Sequence, residues 1–186
     1  YVFNDTWLLV AYPSGSEADS YTFDPRIIYV FENAFCGAEY LNEINLNSGL
    51  LYIEQHAFTG CSNVREMTIP ETVREVGRNF ISGWETLEKV TFLGCAPAFY
   101  DPTVFEGCSD SLVIAYPAGY VAWDNIINHT EDGDRWDITY INWDSENQEE
   151  YVVSYCAEAF DAPTGGMFSD DLFWNIDEYG ILNITG

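Results

Sequence analysis

The residues best equipped for chemistry lie between positions 131 and 143. Glu131, Asp132, Asp134 and Asp137 place four carboxylates within seven positions, around Gly133. Calcium takes about six to eight hard oxygen ligands from a flexible loop, so this run could hold Ca²⁺. The EF-hand spacing D-x-D-x-D-G is absent, and a solvated acidic turn accounts for the same residues. Trp136, Tyr140 and Trp143 interleave with these acids. Rings beside carboxylates suit stacking on a sugar. They equally suit a strand that caps the open end of a sheet, and this second reading takes precedence. The chain has two histidines, His56 and His129. Neither has a Ser or Cys nearby in a nucleophile motif such as G-x-S-x-G. No glycine-rich loop is suited to cradle a phosphate. Acids are so abundant that no pair stands out as a general acid and base. Catalysis is not expected, and no cofactor is expected beyond a Ca²⁺ ion at the 131–137 run.

Composition narrows the partners. The chain of 186 residues carries 31 Asp and Glu against 6 Lys and Arg, for a formal charge of −25. Such a field repels phosphate backbones and anionic lipid, so nucleic-acid binding and membrane insertion are not expected. Apolar residues make up 47% and aromatics 17%, enough to build a core in spite of the charge. No apolar run of ~18 residues is present to span a bilayer. The five cysteines, Cys36, Cys61, Cys95, Cys108 and Cys156, show no metal-ligand spacing. Cys61 and Cys108 hold one repeat position two coils apart, near ~10 Å at the usual strand spacing, too far for a disulfide. They are expected as small buried thiols. A Cys95–Cys108 bond stays open.

The elements that must position these residues are announced by a repeat. Ala57-Phe58-Thr59-Gly60-Cys61-Ser62-Asn63-Val64 has counterparts at 34–41, 79–87 and 104–112. Phe35, Phe58, Phe80 and Phe105 are separated by 23, 22 and 25 positions. A period in the twenties marks stacked coils, each too small to bury its own apolar face. Each coil ends on an alternating run that buries Ile44 and Leu46, Met67 and Ile69, or Val90 and Phe92. Glu43 and Asn45, Glu66 and Thr68, Lys89 and Thr91 must then face outward. The four phenylalanines are expected to form an aromatic column inside. Gly37, Gly60, Gly83 and Gly107 mark a sharp recurring turn. Gly77 is expected at a bend that needs positive φ.

The unit Ile53 through Pro70 resembles the BspA-like leucine-rich repeat, approximately I-G-x-x-A-F-x-G-C-x-x-L-x-x-I-x-I-P. The resemblance covers about residues 20–123. Coil one has Ala38 where the family prefers Cys, and coil three has Trp84 there. The resemblance implies a mostly β chain with short turns and helical pieces. Its centre would be a right-handed leucine-rich-repeat solenoid with a parallel sheet, followed by a small C-terminal β region.

Leu9-Val10-Ala11-Tyr12-Pro13-Ser14-Gly15 is similar to Val113-Ile114-Ala115-Tyr116-Pro117-Ala118-Gly119, so residues 1–16 read as the tail of a preceding block. Residues 17–123 read as the solenoid. Residues 124–186 read as an acidic capping segment, with 131–134 as a loop, followed by a β-hairpin built on 172–184. The chain reads as a piece of a longer one. The resemblance further implies a secreted or cell-surface bacterial protein that adheres to a protein of a host or neighbouring cell. The outward residues Glu43, Asn45, Glu66, Thr68, Lys89 and Thr91 would make the contact, unless they are merely solvated strand positions. The alternative is a carbohydrate-binding or spacer region of a larger extracellular enzyme, with Trp136, Tyr140 and Trp143 meeting a glycan.

Overall fold

The computed structural model describes residues 2–3, 6–99, 102–141, 150–161, 165–169, 172–176 and 182–185. Each coil gives one strand to each of two parallel walls. The short-strand wall runs Thr6–Leu9, Ile27–Val30, Tyr52–Ile53, Glu75–Val76, Ala98–Phe99, with Val2–Phe3 antiparallel at its edge. The long-strand wall runs Ser20–Thr22 beside Glu43–Asn45, then Glu66–Ile69, Lys89–Phe92 and Val113–Pro117. The Glu43–Asn45 strand lies against Glu66–Ile69. The chain is therefore mostly β, and its stacked parallel strands form the expected solenoid.

Strand alternation explains which residues fill the interior. Val30, Ile53 and Val76 lie on one inner face, and Ile44, Met67, Val90 and Ile114 on the other; all are buried. A fully buried side chain of this size contributes about 1.5–3 kcal/mol through removal of apolar area from water. The third side of each coil is the Gly-containing turn. Gly60 has φ of 94°, in the left-handed region where a side chain is strained. A Cβ there would also sit 2.8 Å from the Gly37 nitrogen of the preceding coil.

The column of phenylalanines is built, with one correction. Phe35 and Phe58 stack at 5.0 Å, and Tyr12 extends the column with a ring 5.2 Å from Phe35. In coil three, however, the column position belongs to Ile81, not Phe80. Left-handed backbone occurs at Asn33, His56 and Asn79, each 23 residues after the last. The Phe35 N–H donates to the Ala57 carbonyl, whereas the Phe58 N–H donates to Phe80. Phe80 thus occupies the place of Ala34 and Ala57. Three donors repeat the same register. The Cys61 thiol points to the Phe35 carbonyl (3.7 Å), the Trp84 indole N–H to Phe58 (2.9 Å) and the Cys108 thiol to Ile81 (3.9 Å). The conspicuous phenylalanine misled the sequence alignment by one position. Phe80 remains fully buried and lies 5.9 Å from Phe105.

Cys61 and Cys108 are the buried thiols expected, and burial pushes each up to about 12. Both therefore stay protonated near neutral pH. Cys95 is exposed and unbridged.

Gly77 departs from expectation: its φ is not positive. Its need for glycine is close approach, because a Cβ would lie 2.2 Å from the Gln55 nitrogen.

The stack takes in part of residues 1–16, since Thr6–Leu9 pairs with Ile27–Val30 and the Tyr12 N–H donates to the Ala34 carbonyl. Beyond Val113–Pro117, the long-strand wall continues through Glu150–Phe160 (parallel), Gly133–Ile141 (antiparallel) and Asn128–Thr130. The expected 131–134 loop narrows to the turn between the last two strands, and the segment after it is a nine-residue strand. In a separate sheet, Leu172–Ile176 pairs antiparallel with Leu182–Thr185, as the hairpin pattern implied, and Gly165–Ser169 adds a third strand.

Candidate functional site

The outward row of the long-strand wall is set by backbone register. Glu66 stands beside Lys89 and then Val113, and Thr68 stands beside Thr91 and then Ala115. Glu43, Asn45, Glu66 and Thr68 are exposed, whereas Lys89 and Thr91 are half-buried. The first four line one groove of about 420 Å³ together with Glu71, Leu46, Pro70 and Leu93. Asn45 donates from Nδ2 to the Glu43 carboxylate at 2.9 Å, which fixes the amide across the strand. Leu93 is 39% exposed, so the groove offers an apolar rim beside three carboxylates.

Lys89 and Thr91 do not line that groove. The Lys89 ammonium reaches over the Val113–Pro117 strand to Glu158 at 2.9 Å. Arg65 pairs with Glu88 in the neighbouring coil. Both pairs are exposed, and such pairs stabilise by less than about 1 kcal/mol. Their clearer effect is on charge: Arg65 of coil two and Lys89 of coil three are spent on Glu88 and Glu158, while Glu43, Glu66 and Glu71 keep the groove acidic.

The aromatic candidates sort differently. Trp136 is 6% exposed and packs at 4.9 Å from Phe99 and 5.6 Å from Phe105. A ring so enclosed has no free face for a sugar, which corrects that use of Trp136. Together with Tyr155, 5.8 Å from Phe105, it closes the C-terminal end of the aromatic column. Tyr140 lies in the Gly133–Ile141 strand, and Trp143 falls outside the described residues.

The four acids proposed for Ca²⁺ do not converge. Asp134 accepts from the Tyr116 hydroxyl at 2.6 Å and pairs with His129 Nδ1 at 2.9 Å. Asp137 accepts from Asn128 Nδ2 at 2.6 Å. Asp134 and Asp137 stand three apart on one strand and so point to opposite faces. Glu131 and Asp132 are exposed at the turn. Among the described residues, no group of three or more His, Cys, Asp or Glu is disposed to hold a metal. The Tyr116 hydroxyl and His129 hold the Asp134 carboxyl below the usual range. Burial, then the hydrogen bond to Asp134 and that carboxylate's charge, pushes the Tyr116 hydroxyl upward. The partners of His129 are the carboxylates Asp134 and Asp124, not a hydroxyl or thiol that it could activate.

Sequence reasoning missed a second concavity, on the short-strand wall. Tyr29, Tyr52 and Glu75 share one register row and line a cleft of about 540 Å³ with Glu32, Glu54 and Arg78. The signal was available: each residue just before the inward Val30, Ile53 and Val76 must face outward, and two of the three are tyrosines.

Comparison with known proteins agrees with this geometry. The profile described as BspA type Leucine rich repeat region matches residues 14–117 in six copies. A solved structure titled as that of the pneumococcal vaccine antigen PcpA shares the fold, with TM-score 0.50 and 23% identity. The match covers 61% of this chain and 34% of that one, so the matched part spans about a third of that chain's length. No curated protein matches. Among the described residues, no helix is long and apolar enough to cross a membrane. The repeat profile, extending over more than half of the sequence and laid on a stack of parallel strands, establishes that this chain belongs to the BspA-type leucine-rich repeat family.

Proposed function

We propose that the chain is a non-catalytic binding module of a secreted or cell-surface bacterial protein. It attaches to a protein of a host or neighbouring cell through the outward face of the long-strand wall. The observation that carries this reading is the groove of Glu43, Asn45, Glu66 and Thr68, set on a rigid parallel frame beside Leu46, Pro70 and Leu93. Variable polar side chains over a fixed backbone, with an apolar rim, suit a protein surface. The pneumococcal antigen supports the surface setting by likeness of fold. The alternative glycan-binding reading loses its central ring, since Trp136 is buried.

The test presents the intact chain to panels of purified host-surface and matrix proteins and to a glycan array. For a protein ligand bound by the parent, Glu43→Ala combined with Glu66→Ala is expected to weaken binding by tenfold or more at unchanged melting temperature. Unchanged binding by the double variant would contradict the proposed face, and glycan binding in place of protein binding would favour the alternative.

A further inference from the structure

The cleft on the short-strand wall belongs to a different face and carries a separate reading. Tyr29 and Tyr52 stand on adjacent strands with ring centroids 5.7 Å apart and planes 38° apart. Phe31 lies 5.1 Å from Tyr29 and broadens the aromatic surface. Glu54 is already committed: its carboxylate accepts from the Tyr29 hydroxyl and from the Glu32 backbone N–H. It thereby fixes the Tyr29 ring and leaves a negative charge beside it. Glu32 and Glu75 add two more carboxylates, against the one guanidinium of Arg78.

Half-buried tyrosine faces ringed by carboxylates attract a cation twice. The ring quadrupole draws it to the face, and the carboxylates accept its N–H groups. Among the described residues, the chain makes this arrangement with its own groups at the N-terminal end of the same wall. There the Arg26 guanidinium lies 3.6 Å from the Trp7 ring centroid while Nε and Nη2 donate to Asp24 at 2.8 and 2.7 Å. That contact holds the Asp24 carboxyl down to about 2.

We propose that the cleft formed by Tyr29, Tyr52, Glu32, Glu54 and Glu75 binds an arginine or lysine side chain of a basic protein segment. The cationic group lies against the two tyrosine rings, and Glu32 and Glu75 receive its N–H groups. Arg78 opposes the incoming charge and weakens a contact that would otherwise hold indiscriminately. The chain's overall charge of −25 raises the local concentration of such segments.

The experiment titrates the full chain, at about 150 mM salt to screen the general field, with an end-blocked peptide carrying two arginines and no acid. Its counterpart has citrulline in place of both arginines, which keeps the shape and removes the charge. Chemical shifts of the Tyr29 and Tyr52 rings report occupancy. The arginine peptide is expected to shift both rings and the citrulline peptide to bind at least tenfold more weakly. Tyr52→Leu, which keeps apolar bulk without the ring, and Glu75→Gln should each weaken binding by about three- to thirty-fold. Arg78→Gln should tighten it, and a gain of binding cannot arise from misfolding.

Absence of binding would overturn the proposal. So would binding indifferent to all three substitutions, which would reflect only the diffuse field. Weaker binding in Arg78→Gln would assign the cleft to an acidic ligand instead, and occupancy by a neutral oligosaccharide but not by the arginine peptide would assign it to a sugar.

Discussion

Replacing Trp84 by alanine is expected to lower the thermal midpoint of the chain by roughly 6 to 20 °C. The indole is fully buried, and its N–H donates to the Phe58 carbonyl of the preceding coil at 2.9 Å. Truncation removes the largest side chain of coil three and one of the two donors to that carbonyl, which keeps the Cys61 N–H at 3.3 Å. Large-to-small changes of this kind cost about 3–5 kcal/mol. In a chain of this length, each kcal/mol shifts the midpoint by about 2–4 °C. Coil three is interior, so a defect there weakens its packing on both neighbours. Trp84→Phe separates the two contributions: it keeps much of the ring and loses only the donor, for about 0.5–1.5 kcal/mol. Thermal denaturation followed by circular dichroism checks both variants. A Trp84→Ala midpoint within 2 °C of the parent would show that this residue does not bind the coils together.

Gly77→Ala should also destabilise, and for a reason that conformational preference does not supply. The backbone there is not left-handed, so alanine could adopt it. On that ground alone, alanine would stabilise by about 0.4–1 kcal/mol through the unfolded state. Space decides otherwise. The added carbon would meet the Gln55 nitrogen at 2.2 Å and the Gln55 Cα at 2.7 Å. These are backbone atoms of the preceding coil and cannot swing aside as a side chain would. The Gly77 N–H also donates to the Ile53 carbonyl at 2.8 Å, so the two coils cannot separate without losing a ladder bond. Overpacking costs about 1–3 kcal/mol, and a backbone obstacle puts this site at the upper end. Gly15→Ala is the control, since nothing lies within 4 Å of its added carbon. The expected result is a clear drop for Gly77→Ala and little change for Gly15→Ala in the same melting experiment.

Much of this was legible in the residues themselves, because a solenoid writes its period along the chain. The alternation in 43–45, 66–69 and 89–92 fixed which side chains face out, and the recurring glycines fixed the turns. The position of Phe80 was not legible, because identity outweighed register. A phenylalanine one place early looks like the column residue until the backbone bonds show Ile81 there. For Trp136 the favoured reading, a cap, is the one the structure shows: the open end of an aromatic column needs a ring to cover it, and Trp136 is buried there against Phe105. The two concavities depend on neighbouring coils and on how strands bring distant residues side by side. The tyrosine row nevertheless left a trace, in the outward positions before Val30 and Ile53.

The stacking of coils at an offset of 23 residues across the middle of the stack, and 24 from Lys89 to Val113, underlies both walls and both proposed surfaces. The most direct measurement is the scalar coupling through backbone hydrogen bonds, read by NMR on the isotopically labelled chain. Coupling between the Phe58 nitrogen and the Phe80 carbonyl carbon is the predicted result. Coupling of Phe58 to Asn79 instead, or to no residue of coil three, would contradict the stack as described.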